Sequence, residues 1–227
     1  MIVLAKSNAD TRALNAAMRD ELRQAGRLSG QDIAIHATDR SRAVFDLPIA
    51  RGDRVEIHVR NRDLGLVNGT AGTVTQIEEE NSGHARLTLA VGSRSVTFST
   101  REITDAKGRA RIGHAYATTI HNAQGITVDR AIVVGNPSFS ANQAYVAASR
   151  ARERTDFVID QRMIDSELRA KARATGHFLD RAPSALERKA HLAGRWARTE
   201  VRETARSMVG KLQVSQPVKS RQPELER

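Results

Sequence analysis

The sequence predicts an α/β fold in three parts: a parallel sheet with helices, a small antiparallel β-unit set into it, and a charged helical extension. Three patterns carry this reading. Continuous apolar, β-branched runs near residues 1–5, 128–134 and 155–159 have the character of strands buried on both faces. The stretch from 51 to 98 alternates apolar and polar residues, as half-buried antiparallel strands do. Beyond Asp160 apolar residues recur at helical spacing among many charges.

Taken in order, Met1-Ile-Val-Leu-Ala5 reads as a buried strand running into a helix, with Ser7, Asn8 or Asp10 as caps and Leu14, Met18 and Leu22 on one face. Next, Arg51–Val59, Gly72–Glu78, Ala85–Val91 and Ser95–Phe98 read as short strands. Gly65, Asn68-Gly69, Gly72 and Gly83 supply turns that need positive φ. Four or five such strands in about 60 residues predict a small SH3-like barrel at 46–107, inserted in a parallel-sheet lobe made of 1–45 and 108–160. Phe98 belongs in its core.

From 161 to 210 the chain reads as a basic helical extension. Met163, Ile164, Leu168, Leu186, Leu192, Trp196 and Val201 form an interrupted apolar stripe, and Pro183-Ser184 marks a break and a new helix start. Trp196 at helical spacing is a packing anchor. Residues 211–227 read as a disordered tail.

Composition bounds the setting. A chain of 227 residues, 40% hydrophobic, can bury one good core and a small second one. The absence of cysteine excludes disulfides and thiolate sites, no clustered metal ligands stand out, and no leader or long apolar run points to a membrane; a cytoplasmic protein is expected. Net charge is +10, and residues 161–227 hold 15 Lys plus Arg against 8 Asp plus Glu, so +7 of it lies in the extension. Such a surplus favours a polyanionic partner through salt-sensitive, sequence-independent attraction.

Two stretches carry chemistry. In Tyr116-Ala-Thr-Thr-Ile-His-Asn-Ala-Gln-Gly125 a polar turn ends in glycine ahead of a buried strand, and in Gln143-Ala-Tyr-Val-Ala-Ala-Ser-Arg-Ala-Arg-Glu153 a small-residue helix carries arginines into another. Their order and spacing resemble motifs V and VI of superfamily 1 helicases, above all the RecD branch and the helicase part of Ti-type conjugative relaxases. The strand-to-helix start resembles motif IV. Residues 61–74 resemble the barrel inserted in the second RecA-like lobe of that branch.

The resemblance implies roles. Arg150 matches an arginine finger, whose always-charged planar fork stabilises a phosphoryl-transfer transition state. Lys6, Gln124 and Gly125 match positions facing ATP, with lysine where relatives often have arginine. Thr118, Thr119 and His121 match positions facing single-stranded DNA, joined by Asn68 from the barrel, where Arg60 and Arg62 are further phosphate contacts. Thr127 stands where many relatives have a ribose-binding glutamate. The alternative for Arg150, Arg152 and Arg154 is a solvated helix face with Glu153 and Asp156.

No Gly-x-x-x-x-Gly-Lys-Ser/Thr loop occurs, and Asp20-Glu21 lies in the first amphipathic helix rather than at a strand end. ATP and Mg²⁺ are therefore expected only with a P-loop-bearing partner lobe, encoded upstream or separately. The expectation is the C-terminal half of an ATP-dependent 5′–3′ DNA helicase or conjugative relaxase, inactive alone. The alternatives are an ATP-independent single-strand-binding module and an inactive truncated fragment.

Overall fold

The structure is a computed structural model that describes residues 1–176 and 181–198. In chain order it holds β1 (Ile2–Ala5), α1 (Asn8–Gln24), β2 (Ser29–Thr38), β3 (Val44–Arg51), β4 (Arg54–Ile57), β5 (Ala71–Glu80), β6 (His84–Val91) and β7 (Arg94–Ser99). A 3-10 turn (Thr100–Ile103) follows, then β8 (Ile112–His114), β9 (Ala117–Thr119), β10 (Val128–Val134), α2 (Ala141–Ala148), β11 (Ala151–Val158), α3 (Gln161–Ala174) and α4 (Ala185–Trp196).

The parallel sheet has the order β11-β10-β1-β9. Leu4 is level with both Val133 and Thr118, which places the carboxyl ends of β1, β9 and β10 along one edge. Leu4, Ile120, Ala123, Val133, Phe139 and Ala147 form the core of this lobe. Trp196 closes it from α4: its ring stacks 5.7 Å from Phe139, lies 5.1 Å from Phe157, and its Nε1 donates to the Asn136 carbonyl at 2.9 Å. Pro183 is buried and Ser184 caps α4 in a capping box with Glu187.

Ser7 is the N-cap of α1, reciprocated by Asp10. The helix buries Asn15 and Arg19, whereas Leu14, Met18 and Leu22 are only half-buried. A buried amide must find partners. Asn15 does so on the backbone entering β9: its Nδ2 donates to the carbonyls of His114 (3.1 Å) and Ala117 (3.3 Å), and its Oδ1 accepts from the N–H groups of Tyr116 (2.9 Å) and Ala117 (2.7 Å).

The inserted unit is an antiparallel sheet of order β7-β6-β5-β4-β8 joined by the β2-β3 hairpin. Its core includes Ile35, Leu47, Ile49, Val55, Ile57, Leu87, Phe98 and Ile112. Strand pairing and core membership therefore carry this unit beyond the expected 46–107, to about residue 29 on one side and 114 on the other. The hairpin escaped the sequence reading because Ser29–Asp32 and the proline at 48 interrupt its alternation.

Two local expectations are corrected. Gly72 does not sit in a positive-φ turn; it lies in β5, where a Cβ would stand 2.9 Å from the Ala90 carbonyl oxygen. The arginine-rich stretch after residue 150 is not helical: α2 ends at Ala148, and Arg152 and Arg154 lie on edge strand β11, paired with Asp129 and Asp156. Val201 and the tail from 211 lie outside the described residues. Among the described residues no helix is long and apolar enough to cross a membrane, and no cluster of acidic or histidine side chains could hold a metal.

Candidate functional site

Ligands of open parallel sheets collect at the carboxyl ends of the strands, where chain leaves the sheet and backbone groups are free. Lys6 is the first residue after β1, and the turn 120–125 follows β9. With the start of α2 they enclose a cavity of about 230 Å³ lined by Lys6, Ile120, His121, Gln124, Ser140, Asn142, Gln143 and Val146. The Lys6 ammonium donates to the Ser138 carbonyl (2.9 Å) and hydroxyl (2.6 Å). It is the lone formal charge among the lining side chains, so the cavity is cationic.

The segment after β9 crosses the sheet to reach the start of β10. Thr119 begins it from a buried position: its hydroxyl accepts the Asn122 N–H at 3.1 Å, so this side chain caps a turn instead of facing outward. Gly125 adopts φ +85° with open space around it, the left-handed backbone that lets the chain turn back into β10.

Arg150 lies at the other end of this crossover. Its Nε donates to the Val146 carbonyl (2.9 Å), one Nη to the Ser149 hydroxyl (3.0 Å), and the other sits 3.4 Å from the carbonyls of both Ala123 and Ile126. The guanidinium thus ties the carboxyl end of α2 to the crossover. The Arg150 carbonyl also accepts the Val128 N–H, at the start of β10. Val146, whose carbonyl accepts from Arg150, also lines the Lys6 cavity, so the arginine borders that cavity. The structure brings Lys6, His121 and Gln124 into one cavity, with Gly125 next in the chain and Arg150 at its border through Val146 and Ala123.

Thr118 faces a third region. It helps line a groove of about 280 Å³ between α1, the start of the crossover and the inserted unit. Arg40, from the β2-β3 turn, spans this junction: it pairs with Glu56 of β4 and reaches the Asn122 amide oxygen at 3.5 Å. Asn68 is exposed in the β4-β5 loop next to this arginine, since a Cβ on Gly69 would stand 3.6 Å from an Arg40 nitrogen. Arg60 and Arg62 are exposed in the same loop. Sequence reasoning did not single out Arg40, Asn122 or Asn15. The one signal for Asn15 was an amide in the middle of an amphipathic helix.

No family model matches the chain. It is 30% identical over 152 residues to the conjugal transfer protein TraA of Agrobacterium fabrum, and 32% identical over 153 residues to TraA of Rhizobium radiobacter; each match spans 67% of this chain and 13% of the relative. It is 35% identical over 95 residues to the ATP-dependent DNA helicase PIF1 of Homo sapiens, covering 39% of this chain and 15% of that one. Among solved structures, Pif1 helicase from Bacteroides in complex with ADP-AlF3 and ssDNA shares the fold, with a TM-score of 0.52 and 21% identity over 75% of this chain and 45% of the other.

The fold is mixed α/β with a parallel sheet and matches the RecA-like fold of Pif1 helicases. The chain is similar to the conjugal transfer protein TraA and to Pif1-type superfamily 1 helicases, and it fits a helicase C-terminal region. It spans about an eighth of the length of the TraA relatives it matches.

Proposed function

We propose that this chain is the second RecA-like lobe of an ATP-driven translocase on single-stranded DNA, acting in conjugative transfer, and that it works on ATP and Mg²⁺ held by a separate P-loop lobe. The observation that carries the reading is the crossover 120–127, which lines the cationic cavity of Lys6 and also meets the Arg150 guanidinium at Ala123 and Ile126. An element that touches both an anion-binding cavity and an arginine is what a motor needs to convert closure on a nucleotide into a shift of its grip on a strand.

The grouping of residues supports a division of labour. Lys6, Gln124, Gly125 and Arg150 form the nucleotide-facing set; Thr118, His121 and Asn68 form the strand-facing set. The ATP-facing role of Lys6 is supported by its sharing a cavity with Gln124 and with Val146, the residue that Arg150 holds. Thr119 supports the turn. Arg150 would exchange its long carbonyl contacts for phosphate oxygens, which cost little to leave at 3.4 Å. The inserted unit we assign as an SH3-like barrel, supported by a meander from β4 to β7 and a last strand returning beside β4. Without a P-loop in its sequence the chain alone is inactive as an ATPase, and the cytoplasm is its proposed location.

The test mixes this chain with a lobe carrying the missing P-loop and measures strand-stimulated ATP hydrolysis. Arg150→Ala should lower turnover about 10³-fold or more while strand binding by fluorescence anisotropy persists. Lys6→Ala should raise the ATP concentration needed for half-maximal turnover while strand binding persists. Unchanged turnover in Arg150→Ala removes the arginine from catalysis. Salt-dependent binding indifferent to nucleotide would identify an ATP-independent binding module instead.

A further inference from the structure

The groove between α1 and the inserted unit differs in chemistry from the Lys6 cavity, although consecutive residues line them: His121 the cavity and Asn122 the groove. Its walls are built from Ala16, Phe45, Leu47 and Pro48. Its charges are spent internally. Three arginines line it, and each already holds a carboxylate: Arg12 holds Asp39, Arg40 holds Glu56, and Arg19 holds Asp32 and Asp53. Four lining carboxylates, Asp20, Asp39, Asp46 and Glu56, outnumber them.

A phosphate entering here would meet a small negative excess and would have to break formed ion pairs. A neutral, flat group meets apolar walls and a rim of hydrogen-bonding groups, Thr118 and Asn122 among them. The two histidines of the lining, His58 and His114, are both held in the neutral form by burial. The His58 Nδ1 is buried with no partner among the described residues, which leaves hydrogen-bonding capacity in the wall. The volume lies at the small end of ligand pockets, enough for one base with its sugar.

We infer that this groove is a nucleobase pocket: as the strand passes over the crossover, Thr118 and His121 meet its backbone and the groove between Phe45, Pro48 and α1 takes one base. The inference rests on the strand-binding reading above and adds a base-dependent contact to it. It also accounts for grip in a chain with few aromatic residues, since an apolar slot can hold a base that has no exposed ring to stack on.

The probe is a fluorescein-labelled oligothymidylate, compared with the same strand carrying abasic sites, titrated onto the full chain at several salt concentrations. The intact strand should bind about tenfold tighter, with the same salt slope, because the missing contact is uncharged. Ala16→Trp, which fills the groove from the exposed face of α1, should bring the intact strand down to the abasic level. As a second readout, 2-aminopurine within the strand should change fluorescence on binding to the parent chain, and this change should be lost in Ala16→Trp. Equal affinity for intact and abasic strands, or an unaltered difference in Ala16→Trp, overturns the nucleobase pocket and leaves strand binding intact. Failure of both strands to bind overturns the strand-binding reading along with it.

Discussion

Arg19 and Asp53 form an ion pair inside the joint between α1 and the inserted unit. The Arg19 Nε lies 3.1 Å from each Asp53 oxygen and an Nη 3.0 Å from one, with side chains 6% and 0% exposed. The Tyr116 hydroxyl donates to the same carboxylate at 2.6 Å and the Ala50 N–H at 2.7 Å. Burial, reinforced by that acceptor, raises the Tyr116 phenol well above its ordinary range. Removing Asp53 leaves the buried Arg19 with only the partly exposed Asp32 as its partner and takes an acceptor from the Tyr116 hydroxyl and the Ala50 N–H. Asp53→Ala should cost about 3–5 kcal/mol in urea unfolding. Tyr116→Phe should cost about 1 kcal/mol. A loss under ~1 kcal/mol for Asp53→Ala would falsify the view that this pair fixes the joint.

Two glycines separate conformational from steric demand. Gly125 has φ +85° and nothing near a would-be Cβ, so Gly125→Ala should cost only the left-handed backbone, about 1–2 kcal/mol, and Gly125→Asn less. Gly72 has ordinary strand backbone but only 2.9 Å to the Ala90 oxygen. Gly72→Ala should therefore disturb the β5-β6 ladder. Amide exchange would show faster opening around Ala90 in that variant and no such change in Gly125→Ala.

Acid should weaken the junction. Burial lowers the pKa of both His58 and His114 below the usual 6.5, so the unfolded chain binds protons that the fold refuses as pH falls through that value. Their contribution is fully present above about pH 6.5 and is lost progressively below it. The carboxylates facing them, Glu56, Asp39 and Asp53, oppose the shift, and Arg40, Arg111 and Arg19 favour it. Thermal melts between pH 7.5 and 5 should show a falling Tm. His58→Gln with His114→Gln should flatten that fall; an equally steep profile in the double variant contradicts the assignment.

Trp196, the one tryptophan of the chain, reports on the parallel-sheet lobe alone, because its contacts are Phe139, Phe157 and Asn136. Its emission should redshift when that lobe opens and stay silent to changes confined to the inserted unit. Trp196→Ala should cost about 2 kcal/mol, less than the loss of a fully buried ring. A cost near zero would mean that α4 does not seal the lobe.

The sequence by itself determined the local elements and the family likeness. Strand and helix character are written in short-range periodicity, which is why β1, α1, β5, β6, β7, β10 and the start of α4 at Ser184 were legible, as were the crossover with Gly125 and the arginine at 150. Which element lies beside which was settled only by tertiary structure, through contacts far apart in the chain. The β2-β3 hairpin joined the inserted core because Ile35, Leu47 and Ile49 found apolar partners there. Lys6 came to share a cavity with His121 because β1 and β9 pair in parallel, and Arg150 reached its border because α2 packs Val146 into the same lining. The groove behind Asn122 exists because Asn15 and Arg19 satisfy their polar groups across the joint and Arg40 reaches both Glu56 and Asn122, and long-range pairing of buried polar groups has no period that a linear sequence could display.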